Sequence, residues 1–236
     1  MNLPITQSTL VPFIKMSGSG NDFVVIDNRF GVLPDDAIAP FSRMICRRRL
    51  SLGADGIVLI EQPDPGVEVD FRFHYVNADG TDGEMCGNGA MCGARFAVLT
   101  GIARHECSFQ TDSGIVNAAV GCDPSDPSVT IGMTDPGPIT HGIDISAEGV
   151  DATYSFLQVG VPHAVTFVPD PDAFLTSPAG PSFNTYGRTV RLHPAFAPAG
   201  TNVNVVGLRG PNTLRMRTYE RGVEDETLAC GTGSIA

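Results

Sequence analysis

Short apolar segments separated by turn-forming residues run through the first half of the chain. Residues 13–27 read as strand, turn and strand, and the turn at 17–21 brings Asn21 to a loop tip. Further strands are predicted at 56–61, 67–76, 106–111 and 114–120. The chain also contains 27 Gly and 18 Pro, as expected for many tight turns. This pattern predicts a sheet-rich fold.

Two segments of the first half have helical patterns instead. Asp35 or Asp36 can cap a helix whose regular part starts at Pro40. Apolar residues at helical spacing follow Cys86, and Gly101 suits the position just after a helix end. We therefore predict an apolar helix that begins directly after Cys86.

The second half repeats this style. Strands are predicted near 153–159, 163–168, 202–208 and 213–220, and residues 169–187 are predicted to form a loop rich in Pro, Ser and Gly. The stretch 121–138 is rich in Asp, Pro and Gly around a short strand and is the best domain junction. We expect an N-terminal domain at 1–128 and a C-terminal domain at 129–236.

Length and composition fit a soluble globular protein of one or two domains. The chain has 236 residues, of which 42% are hydrophobic. No stretch approaches the roughly 20 apolar residues that a membrane span needs. The first ten residues lack the basic and apolar regions of a secretory signal. We therefore expect a cytoplasmic protein that does not enter membranes.

Charge and residue counts argue against several kinds of chemistry. The formal net charge of −11 disfavours binding to nucleic acid or to anionic membrane surfaces. Lys15 is the single lysine, and pyridoxal-phosphate chemistry needs a Schiff-base lysine. We therefore expect no pyridoxal-phosphate chemistry.

The six cysteines include no Cys-x-x-Cys pair and no Cys/His spacing of the structural zinc type, so we expect no metal site. Disulfides are disfavoured in a cytosolic chain. Four cysteines are therefore predicted to be small buried hydrophobic residues: Cys46, Cys92, Cys107 and Cys122.

The other two, Cys86 and Cys230, each open a Cys-Gly-x-Gly sequence followed by small, helix-compatible residues. Two copies in similar contexts indicate an internal pseudo-repeat with a cysteine at the start of a helix in each half. Glycine lets backbone approach a ligand closely, and the free N–H groups at a helix start favour an anion such as a carboxylate. The same field lowers the pKa of a neighbouring thiol.

Two thiols of this kind suit inversion of a carbon centre. One thiolate could remove the α-proton of an amino acid while the other thiol delivers a proton to the opposite face. Preorganised N–H donors would hold the charge that develops. The residues therefore point to a cofactor-independent racemase or epimerase.

Seven short motifs stand in the order in which they occur in diaminopimelate epimerases, and the chain resembles that family over about residues 13–236. The motifs are Gly-Ser-Gly-Asn-Asp-Phe at 18–23, Asn-Ala-Asp-Gly at 77–80, Met-Cys-Gly-Asn-Gly at 85–89, Pro-His at 162–163, Thr-Asn-Val-Asn at 201–204, Glu-Arg-Gly at 220–222 and Ala-Cys-Gly-Thr-Gly at 229–233. Asn88 stands where the related proline racemases have histidine.

The resemblance implies an α+β fold of two pseudo-symmetric domains, each a curved, mainly antiparallel sheet wrapped around a central helix, with the active site in the cleft between them. It implies interconversion of LL- and meso-diaminopimelate, a step in lysine and cell-wall precursor biosynthesis. The implied partner is a small amino-acid substrate, and a homodimer is left open.

The resemblance also implies residue roles. Cys86 and Cys230 would be the two bases. The reacting carboxylate would be bound by Gly87, Asn88, Gly231 and Thr232, and the amino groups and distal carboxylate by Asn21, Asn77, Asn202, Glu220 and Arg221. His163 is similar to the family's site histidine, with a purely structural role as the alternative.

The sequence departs from the family in several places, two of which bear on the substrate site and the fold. Members commonly carry Asn before the Pro-His pair, whereas Val161 stands here and cannot donate an amide hydrogen bond. Members also continue beyond the second Cys-Gly-Thr-Gly through a long helix. We therefore expect the second domain to be truncated at its central helix and the chain ending at Ala236 to be marginally stable.

Two alternatives to a diaminopimelate epimerase stay open. One is a racemase or epimerase of another amino acid, which Val161 favours. The other is a catalytically silent protein that binds a small anion.

Overall fold

The computed structural model describes residues 10–83, 85–123, 125–176 and 181–236. The chain divides into two compact units, Met1–Gly132 and Met133–Ala236. The short strand Val129–Ile131 pairs with the strand Gly114–Val120, which places it in the first unit rather than after the expected division at 128/129. The first ten residues are predicted to lack a secretory signal, and residues 1–9 of them lie outside the described ranges.

The described part of the first unit forms one sheet with two helices. The strands are β1 (Ile14–Gly18), β2 (Asn21–Asp27), β3 (Gly56–Glu61), β4 (Phe71–Asn77), β5 (Asp82–Gly83), β6 (Glu106–Thr111), β7 (Gly114–Val120) and β8 (Val129–Ile131), and the helices are α1 (Asp35–Ile45) and α2 (Gly87–Leu99). The strand order is β1-β2-β3-β4-β6-β7-β8, with β5 paired to β4.

The strands β2 and β3 of the first unit are buried on both faces of the sheet. Val25 and Val58 point to the face that α2 covers, whereas Val24 and Ile57 point to the face that α1 covers. Successive strand residues point to opposite faces, so a strand buried on both sides is apolar throughout. This explains the continuous apolar run of β3.

The start of α1 differs from the prediction. Pro34 is the N-cap, without a side-chain hydrogen bond, and Asp35 and Asp36 lie in the first turn. The prediction that one of these two residues is the cap is therefore wrong. The prediction that the regular part starts at Pro40 is also wrong, because Pro40 lies inside the helix. The two carboxylates can still stabilise the helix start through its positive dipole end.

The described part of the second unit is a six-stranded sheet with two α-helices and a short 3-10 helix. Its elements are β9 (Thr140–Ala147), β10 (Val150–Val159), β11 (Val161–Phe167), α3 (Phe183–Arg191), the 3-10 helix Pro194–Phe196, β12 (Asn202–Gly210), β13 (Thr213–Glu220), β14 (Asp225–Thr227) and α4 (Gly231–Ile235). The strand order is β14-β13-β12-β11-β10-β9.

Four elements of this unit were not predicted: α3, β9, the 3-10 helix and β14. α3 begins inside the predicted loop 169–187, where Ser182 caps it by accepting a hydrogen bond from the Thr185 N–H at 3.1 Å. Residues 177–180 of that loop lie outside the described ranges. β9 is a mostly exposed edge strand, so it lacks the apolar signal of a buried strand.

The two units repeat one topology. In the first, β1 and β2 are antiparallel, α1 connects β2 to the parallel β3, and β4 and β5 precede α2. In the second, β10 and β11 are antiparallel, α3 connects β11 to the parallel β12, and β13 and β14 precede α4. The predicted α+β fold of two similar sheet-rich domains is confirmed. Among the described helices, none is both long and apolar enough to span a membrane.

Strand registers define equivalent positions in the repeat. Val25 pairs with Val58, which pairs with Tyr75. Val165 pairs with Asn204, which pairs with Thr218. The same registers extend two residues further along each strand. There, Phe23, Gly56 and Asn77 of the first unit are equivalent to His163, Asn202 and Glu220 of the second unit.

Candidate active site

Cys86 and Cys230 occupy the same position in the two repeats, the N-cap of the last helix. Their backbone torsions are nearly equal, with φ and ψ of −129° and 109° at Cys86 and of −131° and 107° at Cys230. Sγ of Cys86 accepts the N–H of Gly89 at 3.5 Å, as a serine or aspartate cap would. Cys86 is partly buried and Cys230 is 5% exposed.

Beside Cys86, two predicted binding residues contact each other. Asn88 lies in the first turn of α2 and donates from Nδ2 to Oδ1 of Asn21 at 2.7 Å. Asn21 begins β2 and donates from Nδ2 to Oδ2 of Asp55 at 3.0 Å. The same carboxylate oxygen accepts the backbone N–H of Asp22 at 3.1 Å. Gly87 is the first residue of α2.

Asn77 lies at the same end of the first sheet. It ends β4, where it pairs with Gly56, and Gly56 pairs with Phe23 near the start of β2. Its Nδ2 donates to Oγ1 of Thr81 at 3.1 Å, and its N–H donates to the Thr81 carbonyl at 2.8 Å. Asn77 therefore stabilises the turn that leads into β5, and a role in binding stays a prediction.

In the second unit, Asn202 connects the strand ends near Cys230. Its Oδ1 accepts the backbone N–H of Arg221 at 2.7 Å, and its Nδ2 donates to the Pro162 carbonyl at 3.3 Å. Asn202 also pairs with His163 across β11 and β12. Glu220, at the end of β13, precedes Arg221. These residues share one end of the second sheet.

His163 is fully buried in the second unit. The Asn204 Nδ2 lies 3.0 Å from its Nδ1 and donates to it. Burial, and to a lesser extent the positive charge of Arg221, lower the pKa of His163 to about 4, so the ring is neutral at neutral pH.

The thiol of Cys230 is held in its protonated form. Burial, and to a lesser extent the negative charge of Glu220, raise its pKa to about 11. Thr232 and the Gly233 N–H act in the opposite direction, and the Thr232 Oγ1 lies 3.5 Å from Sγ. Gly231 has open space where a Cβ would be.

Comparison with known proteins places this arrangement in one family. A family model described as diaminopimelate epimerase matches residues 13–137 and 155–236. The chain belongs to the diaminopimelate epimerase family. The family match confirms the resemblance seen in the seven motifs, and the predicted isomerase activity of the epimerase type is confirmed with it.

Relatives in the diaminopimelate epimerase family align over most of the chain. The diaminopimelate epimerase of Aquifex aeolicus is 39% identical over 95% of this chain and 78% of its own. That of a Hydrogenobaculum species is 40% identical over 94% and 79%. Among solved structures, a probable proline racemase from Agrobacterium radiobacter shares the fold, with a TM-score of 0.69 and 15% identity over 95% of this chain and 76% of that one.

Three polar residues at these sheet ends were not predicted as site residues: Asp55, Asn204 and Thr218. Asn204 lies two residues after Asn202 in the strand β12, so both side chains point to the same face. That spacing is the signal by which the sequence could have revealed it. Asp55 directly precedes β3, and nothing in its local pattern marks it as the partner of Asn21.

None of the six cysteines, which all lie within the described ranges, forms a disulfide bond. Cys46, Cys92 and Cys107 are buried as predicted, but the prediction that Cys122 is buried is wrong. Cys122 lies in the polar junction after β7, where no apolar layer covers it. Across the described ranges, no group of three or more His, Cys, Asp or Glu side chains is placed to hold a metal ion.

Proposed function

We propose that this protein interconverts LL- and meso-diaminopimelate without a cofactor, using Cys86 and Cys230 as a thiolate and thiol pair. The matching N-cap geometry of the two cysteines in the two repeats is the observation that carries the proposal. Because the two cysteines have equivalent positions and nearly equal backbone torsions, they suit a reaction whose chemistry is similar in both directions.

The proposed reaction moves two protons and no other group. One cysteine thiolate takes the α-proton and becomes a thiol, which leaves the electron pair on the α-carbon and its carboxylate. The other thiol then gives its proton to the opposite face and becomes a thiolate. Each cysteine thus acts as base in one direction and as acid in the other.

The resting state of Cys230 sets the starting point. A pKa of about 11 makes the thiol its form at neutral pH in the absence of substrate. In the direction that starts from this state, Cys86 is the base and Cys230 the acid. A bound substrate that separates Cys230 from the charge of Glu220 would lower its pKa and allow the reverse direction.

The binding roles in the proposal follow the motifs. Backbone N–H groups of Gly87, Asn88, Gly231 and Thr232 hold the reacting carboxylate as negative charge develops on it. The substrate's amino groups and distal carboxylate are recognised by Asn21, Asn77, Asn202, Glu220 and Arg221, and His163 lines the site. An arginine beside a carboxylate is a suitable distal anchor because its guanidinium can donate two parallel hydrogen bonds.

A second candidate is an epimerase of another amino acid. Val161 favours it because this residue starts β11 at the position equivalent to Asn21 and provides no side-chain hydrogen bond. A substrate panel that includes diaminopimelate and shorter amino acids separates the two candidates by their kcat/KM values.

The proposal also includes the cellular location and the oligomeric state of the protein. Six free cysteines suit a reducing compartment, which supports a cytoplasmic location. A homodimer is proposed by resemblance alone. Sedimentation velocity of the full-length protein tests it.

The decisive experiment is α-proton exchange in D2O. The full-length protein is incubated under reductant with LL- or meso-diaminopimelate, and deuterium incorporation at the α-carbon is followed by mass spectrometry. Variants Cys86→Ser and Cys230→Ser are compared with Cys122→Ser, which alters an exposed free thiol. We expect both active-site variants to lose inversion and the control to retain it.

The outcomes distinguish the candidates. Exchange with another amino acid but not with diaminopimelate would select the second candidate. Binding of diaminopimelate without exchange, unchanged when both cysteines are serine, would select the silent anion-binding protein.

A further inference from the structure

Three buried polar side chains connect the central strands of the second sheet. Asn204 of β12 donates to Nδ1 of His163 on β11 at 3.0 Å and accepts from Oγ1 of Thr218 on β13 at 3.0 Å. His163 and Asn204 are fully buried, and Thr218 is 2% exposed. We call these three residues the polar triad.

The orientation of the Asn204 amide follows from its surroundings. Its Nδ2 also lies 3.5 Å from the backbone carbonyl of Ala164, which can only accept hydrogen bonds. A rotated amide would bring Oδ1 against that carbonyl oxygen, with no proton between them. Nδ2 therefore faces Ala164 and His163, and Oδ1 faces the Thr218 hydroxyl.

This orientation determines where the histidine carries its proton. Nδ1 accepts from Asn204, so it is unprotonated, and a neutral imidazole then carries its proton on Nε2. The low pKa of His163 keeps the ring neutral. His163 is thus a hydrogen-bond donor at Nε2 and cannot accept a proton there.

The first unit provides an internal comparison. At the positions equivalent to His163, Asn204 and Thr218 it carries Phe23, Val58 and Tyr75, all buried. The Phe23 and Tyr75 rings pack edge to face, with centroids 5.9 Å apart. Since aromatic and aliphatic side chains fill these positions beneath the equivalent helix start, packing alone does not require a polar triad in the second unit.

Packing does not explain why a buried N–H donor, the Nε2–H of His163, is present here. It is buried and has no hydrogen-bond partner among the described residues. A buried donor without an acceptor destabilises the folded protein. Such a group calls for an explanation, and a ligand that supplies the missing acceptor provides one.

The triad lies next to residues of the candidate site. A Cβ at Gly233 would come within 2.5 Å of the Asn204 Oδ1 and within 3.2 Å of the Cys230 Sγ, so both side chains lie beside the same glycine. His163 itself pairs with Asn202, which holds the backbone of Arg221.

We propose that Asn204 is a positioning residue that holds His163 as the neutral tautomer with its proton on Nε2, and that this N–H donates to an acceptor oxygen of the bound substrate. The identity of that substrate as an amino acid such as diaminopimelate rests on the proposed function. The assignment of the tautomer does not.

The tautomer is measured directly by long-range 1H–15N correlation on full-length protein with 15N-labelled histidine, in the absence of ligand. The chain has five histidines, and the signals of His163 are assigned by their loss in His163→Gln. We expect a protonated Nε2 and an unprotonated Nδ1 at neutral pH. A protonated Nδ1, in a neutral or a charged ring, would overturn the proposal whatever the activity.

Variants then test the role of Asn204. Asn204→Asp has nearly the same shape but can only accept, so it should move the proton to Nδ1 and lower kcat/KM about ten- to hundredfold, the effect of a lost hydrogen bond to a charged group. Thr218→Val removes the other bond of Asn204 and should leave the tautomer unchanged.

The results separate a positioning role from a purely structural one. Asn204→Asp with the proton moved, the thermal transition retained and kcat/KM unchanged would show that the triad only joins strands, and would end the proposal. Absence of α-proton exchange in the native protein would contradict the proposed function, while the tautomer measurement would still test Asn204.

Discussion

Asn88 and Asn21 orient each other, because Nδ2 of Asn88 donates to Oδ1 of Asn21 at 2.7 Å. Asp55 fixes the sense of this contact. Its carboxylate can only accept, so the Nδ2 of Asn21 must face it and the Oδ1 must face Asn88. One carboxylate thus determines the direction of two amide side chains beside Cys86.

Replacement of Asp55 should therefore impair the reaction through Asn21. We expect Asp55→Ala to lower kcat/KM about tenfold or more, the usual cost of a lost charge-assisted hydrogen bond. Asp55→Asn can still accept from Asn21 and should have a smaller effect. Asp36→Ala, at an exposed position in the first turn of α1, is the control. Equal losses in Asp55→Ala and Asp55→Asn would assign the effect to charge, including the ion pair with Arg48, rather than to orientation.

The two Cys-Gly-x-Gly turns differ in the room they leave for a side chain. A Cβ at Gly233 would approach the Asn204 Oδ1 to 2.5 Å, whereas a Cβ at Gly89 meets its nearest neighbours at 3.5 Å, an ordinary contact. Gly233→Ala should lower the free energy of unfolding by about 1–3 kcal/mol, as overpacking does. Gly89→Ala should have a much smaller effect. Urea unfolding of both variants measures the difference, and an equal effect would contradict the close approach of Asn204.

The raised pKa of Cys230 predicts slow alkylation at neutral pH. The thiolate is the reactive form, so the rate with iodoacetamide should rise about tenfold per pH unit below a pKa of about 11. Glu220→Gln removes a negative charge that raises this pKa and should accelerate alkylation at a fixed pH. Mass spectrometry of the Cys230 peptide gives the rate, with the exposed Cys122 as internal reference. A slower reaction in Glu220→Gln would contradict the electrostatic effect of Glu220.

The sequence predicts strands best where apolar residues stand between clear turn signals. β3, β6, β7 and β13 have the predicted bounds, because each carries apolar residues between turn signals. The edge strand β9 is not predicted because only Ile143, Ile145 and Ala147 among its eight residues are apolar. The helix α3 is not predicted because Pro, Ser and Gly dominate the residues 169–187 from which it starts, although Ser182 is a suitable cap.

In the candidate site, too, the sequence reveals some residues and not others. Both cysteines and their glycines are identifiable because a repeated motif carries them. Asp55 and Asn204 act through partners 34 and 41 residues away, Asn21 and His163, and strand pairing rather than local sequence creates those contacts. Sequence periodicity reveals the face on which a strand residue lies but not the partner on the next strand.

His163 and His74 should have opposite effects on the pH dependence of stability. Burial lowers the pKa of His163 to about 4 in the folded protein, so the unfolded chain takes up this proton first as the pH falls. Stability is then complete above pH 6.5 and is lost between about 6.5 and 4, by up to about 3 kcal/mol. For His74, the hydrogen bond to Glu61 is the main cause that raises the pKa. Its contribution is present below pH 6.5 and is lost as the pH rises through the raised folded pKa.

Two matched variants test these signs by urea unfolding of the full-length protein between pH 5 and 8. The free energy of unfolding of His163→Gln, compared with that of the native protein at the same pH, should be more favourable at pH 5 than at pH 8. The reason is that the variant has no buried imidazole that resists protonation. His74→Gln should show the reverse, because it loses the ion pairs with Glu61 and Asp82 that form at low pH. If His163→Gln leaves the pH dependence unchanged, the ring is not held neutral by burial, and the assignment of a permanent Nε2–H donor fails with it.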